Sequence, residues 1–131
     1  MHILVFSENK NFSFNQNKAV LLINNGIHAG EPDGIDASMQ FFRDLALGKI
    51  KAPKNTVIVC IPVYNIGGAL NRNSSTRANQ NGPEEYGFRG NARNYDLNRD
   101  FIKSLKKGSS NILLYQRFSL IQNPSGFSAF E

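Results

Sequence analysis

Two side chains with metal-binding donors stand three residues apart in Gly26-Ile27-His28-Ala29-Gly30-Glu31-Pro32-Asp33-Gly34. Zinc accepts an imidazole nitrogen and a carboxylate oxygen at ~2.0–2.2 Å, and on a tight loop His28 and Glu31 can converge on one ion. The neighbouring Gly26 and Gly30 let the backbone bend closely around such an ion. A solvated loop pair is the other reading of an isolated HxxE. Further along, Arg93-Asn94-Tyr95-Asp96-Leu97-Asn98-Arg99-Asp100-Phe101 offers a different chemistry. An arginine fork holds a carboxylate through two charge-assisted hydrogen bonds, and a neighbouring asparagine amide donates another. Taken alone, the same DLNRD stretch also reads as a self-paired surface turn, with Arg99 against Asp96 or Asp100.

These motifs need elements to position them. The run Ile3-Leu4-Val5-Phe6 predicts a short strand, and residues 9–17 a polar connection. Residues 19–23, Ala-Val-Leu-Leu-Ile, form a continuous apolar run stopped by Asn24-Asn25-Gly26, the pattern of a strand covered on both faces and central in its sheet. His28 and Glu31 follow at its carboxyl end, where ligand sites form in open α/β sheets. Apolar residues at Ile35, Met39, Phe42 and Leu45 then predict an amphipathic helix over residues 36–47, with Asp36 in its first turn and Gly48 ending it. A second buried strand is expected over residues 56–61, ending at Pro62. Strand, helix, strand implies a right-handed parallel crossover, so the fold class is α/β. Residues 65–95 are rich in Asn, Gly, Ser and Arg without periodicity, too long a connection to be idle in a compact domain.

Together the two motifs resemble the zinc carboxypeptidase family, the carboxypeptidase A-like metallopeptidases, over residues from about 19 to 103. The resemblance implies a three-layer α/β/α fold with a mixed, largely parallel sheet, present here in part. It implies Zn(2+) as cofactor and a peptide with a free C-terminal carboxylate as substrate. His28 and Glu31 match the family's first two zinc ligands, and Asn98 and Arg99 match the pair that grips the substrate carboxylate. Arg89, in Phe88-Arg89-Gly90-Asn91, matches the arginine that stabilises the oxyanion, with Arg93 as the competing candidate four residues on. Asn65-Ile66-Gly67-Gly68 resembles the family's turn after the second strand. The chemistry implied is zinc-assisted attack of water on the scissile carbonyl, with a glutamate taking the water's proton and an arginine steadying the negative intermediate.

The family's third ligand is a downstream histidine, whereas the other histidine here is His2; the proton-accepting glutamate also comes late in the family, and after Asp100 the acidic residue is Glu131. From Ser104 onward the sequence loses the family pattern. The expectation is therefore residues 1–103 as the N-terminal part of a catalytic domain, and residues 104–131 as a tail from truncation or a shifted reading frame, the isolated chain being inactive.

Composition narrows the alternatives. The net charge of +5 comes from 15 Lys+Arg against 10 Asp+Glu. Most of it lies in residues 72–131, where nine basic and five acidic side chains leave +4. Those arginines are interspersed with Asn, Gly and Ser rather than gathered on one helix face, which argues against nucleic acid and for a carboxylate pocket. The single Cys60 lies in an apolar run and is expected as a buried thiol. No stretch approaches the ~20 apolar residues of a membrane span, and MHILVFSENK has no charged leader region or cleavage site. Two further functions fit the motifs: an aspartoacylase-like zinc amidohydrolase of N-acyl amino acids, which pairs HxxE with a downstream Asn-Arg, and an inactive module binding peptide C-termini through Asn98 and Arg99. The IHAGEPDG wording followed by a clear helix resembles the peptidase branch more closely.

Overall fold

A computed structural model describes residues 1–12, 17–76 and 83–99. The expected tail over residues 104–131, its boundary with residues 1–103, and Asp100 lie outside them. Three strands form a mixed sheet in the order β1-β3-β2: β1 (Leu4–Phe6), β2 (Ala19–Asn24) and β3 (Thr56–Ile61). β2 and β3 pair in parallel, Ala19 opposite Thr56 through Asn24 opposite Ile61, while β1 pairs antiparallel with β3. The arrangement is α/β, with α1 (Asp33–Ala46) joining the parallel strands.

One expectation is corrected. β3, not β2, is the central strand. Its five residues from Val57 to Ile61 are all at most 2% exposed, whereas Leu21 and Leu22 of β2 are 48% and 38% exposed. A continuous apolar run marks a strand that needs cover, but it does not say which neighbour supplies it. Among the described residues β2 is an edge of the sheet, as is β1.

α1 begins a turn earlier than its periodicity suggests, so Asp33 and Asp36 both lie in the first turn beside the positive end of the helix dipole. Its buried stripe also differs from expectation: Ser38 is buried and Met39 is 57% exposed. Ser38 fits the crowded side because its hydroxyl donates to Gly34 O (2.7 Å) and accepts from Asn25 Nδ2. Gly48 ends the helix as expected. It has φ +70°, and Gly48 N–H donates to Leu45 O and Lys49 N–H to Asp44 O, the paired bonds of a Schellman cap.

Side chains alternate faces along a strand, so Ile58 and Ile61 organise opposite faces of the sheet. Ile58 packs with Leu45, Ala52, Phe6, Ile23, Phe41 and Phe42, which places α1 on that face. Ile61 packs with Tyr64, just after β3, and with Ile27 and Leu97 of the two sequence motifs. The long stretch after β3 is not featureless. It holds a short helix, α2 (Ile66–Leu70), and a two-stranded ribbon of β4 (Arg72–Asn73) and β5 (Tyr86–Gly87).

Candidate metal and substrate site

The loop that carries His28 leaves β2 through Gly26, where a φ of +63° strains any side chain and an added Cβ would sit tightly at 3.1 and 3.2 Å from Val63 Cα and Pro62 O. The strand ends are tied together there: Asn25 N–H donates to Ile61 O, Tyr64 N–H to Asn25 O, and Asn65 N–H to Gly26 O. A tight turn follows, with Glu31 N–H on His28 O at 3.0 Å. β5 passes directly over this turn, since a Cβ on Gly87 would lie 2.7 Å from Ala29 Cβ. The first motif is thus held from below by the sheet and from the side by the ribbon.

His28 is 8% exposed and uses both ring nitrogens. Nδ1 lies 3.3 Å from Glu31 Oε1, and Nε2 lies 2.9 Å from Asp96 Oδ1. Asp96, in the second motif, is the residue that joins the two stretches. Its Oδ1 also accepts from Asn98 N–H, and its Oδ2 accepts from Arg89 Nε and pairs ionically with Arg89 Nη2, each at 3.0 Å. Partial burial by itself raises the Asp96 pKa. The hydrogen bonds from His28, Asn98 N–H and Arg89 and the field of His28 outweigh it and bring the pKa to about 2.

An ionised Asp96 can only accept, so His28 Nε2 carries the proton it donates. In a neutral ring Nδ1 then presents its lone pair to the carboxylate oxygen of Glu31 at 3.3 Å, a contact between two acceptors. Such a contact is stable only with a proton or a metal cation between the atoms. The 3.3 Å spacing accommodates either. Two ligands at ~2.05 Å from a tetrahedral zinc stand ~3.3 Å apart. The donor set therefore fits two corners of a zinc site. Among the described residues no third His, Cys, Asp or Glu joins them to make a group of three. His2 is exposed ahead of β1.

Of the residues singled out from sequence, the structure brings His28, Glu31 and Arg89 into one network. Asn98 joins through its backbone N–H; its side chain and that of Arg99 are exposed on the 3₁₀ turn Leu97–Arg99, where Arg99 Nη1 donates to Asn98 O. Arg89, and not Arg93, reaches Asp96, because the turn over residues 91–95 directs the chain away: Asn91 Oδ1 accepts from the N–H groups of Arg93 and Tyr95, and Asn94 adopts φ +59°. The self-paired reading of DLNRD fails for Asp96, whose carboxylate goes to His28 and Arg89. Sequence reasoning missed the role of Asp96. The signal was its position two residues before Asn98, where an aspartate can cap the turn through the Asn98 N–H.

A family model described as zinc carboxypeptidase matches residues 1–125, a span that runs past the boundary drawn at residue 103. Comparison with curated proteins and with solved structures gave no match.

Proposed function

From the chain's membership of the zinc carboxypeptidase family, we propose that it contributes to zinc-dependent release of C-terminal amino acids from peptides, with His28 Nδ1 and Glu31 as two metal ligands. The observation that carries this reading is the approach of two ligand-type atoms, Nδ1 and Oε1, to 3.3 Å with Nε2 already on Asp96. A histidine that ligates a metal through one nitrogen commonly donates its other N–H to a carboxylate, which orients the ring and raises its basicity. Asp96 does this for His28.

When bound, zinc supplies Lewis acidity toward the scissile carbonyl and lowers the pKa of a water. The chain's own residues do the rest. Arg89 spends Nε and Nη2 on Asp96, which leaves Nη1 to donate to the carbonyl oxygen as negative charge develops there. Asn98 and Arg99 receive the substrate's C-terminal carboxylate, the exposed guanidinium giving a bidentate fork and the asparagine amide a further donor. Because Asp96 binds the Asn98 backbone as well as His28, the carboxylate grip and the metal ligand are set at a fixed separation.

The test compares a blocked dipeptide ending in a free carboxylate with the same dipeptide ending in an amide, using zinc-loaded protein and calorimetry. The acid binds more tightly, and Arg99→Ala abolishes the preference. Equal binding of acid and amide to the unsubstituted protein would rule out the carboxypeptidase reading.

A further inference from the structure

Asn65 is the most completely buried polar side chain of the described residues, at 1% exposure, and none of the roles above uses it. It sits between β3 and α2, and its side chain spends every polar atom. Oδ1 accepts from Gly68 N–H at 2.8 Å and so caps α2. Nδ2 donates to Arg89 O at 3.1 Å and to Gly90 O at 3.0 Å, across 24 and 25 residues of chain. Its backbone N–H donates to Gly26 O at 2.9 Å, two residues before His28.

These bonds close a ring. From Gly26 the path runs through Asn65 to the Arg89 backbone, through the Arg89 guanidinium to Asp96, and through Asp96 to His28. Arg89 is therefore held at both ends, its guanidinium by Asp96 and its carbonyl by Asn65. The surroundings leave Asn65 no slack. An added Cβ on Gly68 would come 2.5 Å from Asn65 Nδ2 and 2.3 Å from Phe88 O, and one on Gly67 would come 2.9 Å from Ala92 N.

We propose that Asn65 is a positioning residue, fixing Arg89 at a set distance from the His28–Glu31 pair by donating both amide hydrogens to the Arg89 and Gly90 carbonyls. The proposal rests on the reading that Arg89 serves the substrate oxygen beside a metal held by His28 and Glu31. An amide is required because one side chain must give two hydrogens and accept one at the same place. Aspartate offers only acceptors, and serine reaches Gly68 N–H without spanning both carbonyls.

The test follows the Arg89 Nε–H resonance in ¹⁵N-labelled protein, assigned by its disappearance in Arg89→Lys. In Asn65→Asp and Asn65→Ser the solvent exchange of this proton speeds up by about tenfold or more, the effect of removing two neutral hydrogen bonds. Zinc affinity in the same variants stays within about twofold, because Asn65 touches neither ligand. A purely structural Asn65 would lower the melting temperature and leave the Arg89 resonance of the folded protein unchanged. Unchanged exchange in a cooperatively folded Asn65→Ser protein overturns the proposal, and this milder variant decides the matter if Asn65→Asp does not fold. Absence of zinc binding by the unsubstituted protein counts against the function reading alone, since Arg89 exchange is measured without metal.

Discussion

Asp96 accepts three hydrogen bonds from three partners, and its two oxygens divide the work: Oδ1 orients His28 and the Asn98 turn, Oδ2 holds Arg89. Removing it frees the His28 ring and its tautomer together. Asp96→Ala is expected to weaken zinc binding by about 10–100-fold, the usual cost of losing a carboxylate behind a ligating histidine. Competition with a chromophoric chelator measures this. The same carboxylate sets an acid limit. Its pKa falls from 3.8 to about 2 on folding, so its contribution to stability is present above about pH 4 and is lost as the pH drops toward 2. Unfolding curves between pH 4 and 2 should therefore fall more steeply for the unsubstituted protein than for Asp96→Asn. Identical slopes would show that Asp96 titrates alike in both states. At the alkaline end Tyr64 acts with the opposite sign. Burial raises its pKa from 10.0 to about 12, so the stability linked to its neutral phenol is present below pH 10 and lost as the pH rises toward 12.

At the scale of elements, the sequence is legible where one local cause decides the outcome. β3 was readable as a strand because its apolar run is short and β-branched, and the end of α1 because a glycine after a periodic stretch takes φ > 0. The start of α1 and its buried face were less so. Ser38 displaces Met39 from the buried stripe through bonds to Gly34 and Asn25, and no periodicity of apolar residues reveals a polar anchor. Residues 65–95 were legible only as too long to be idle; among those described, asparagine side chains tie the backbone, Asn65 across 24 and 25 residues and Asn91 within its own turn. Two glycines separate these causes by experiment. Gly48→Ala meets no atom within 4 Å and pays only for its positive φ, about 1 kcal/mol. Gly68→Ala drives a methyl against the Phe88 and Gly90 carbonyls and is expected to cost more than about 2 kcal/mol. Chemical denaturation of both variants gives the comparison, and an equal loss would contradict the crowding at Gly68.

At the scale of the whole molecule, the two motifs are brought together because both sit on loops at one end of the sheet, above Ile61, Tyr64 and Leu97. The class of the fold and three of the network residues, His28, Glu31 and Arg89, were visible in advance. The rank of β2 in the sheet was not, since the pairing of strands is a long-range choice that an apolar run leaves open. Its position has a consequence for solution behaviour. Leu21 and Leu22 are substantially exposed on a strand that is an edge among the described residues, and an apolar edge invites pairing with another chain. Leu22→Lys is expected to reduce concentration-dependent association in sedimentation velocity without lowering the melting temperature. An unchanged association profile would show that this edge is not the contact.

The central claim, that His28 and Glu31 are ligands to one zinc ion, is tested most directly by zinc titration of the purified protein beside His28→Ala and Glu31→Ala. The expected result is one-to-one binding weakened at least about tenfold by each substitution, since each removes one of the donors the ion needs. Binding of the same strength in all three proteins, or none in any, would contradict it.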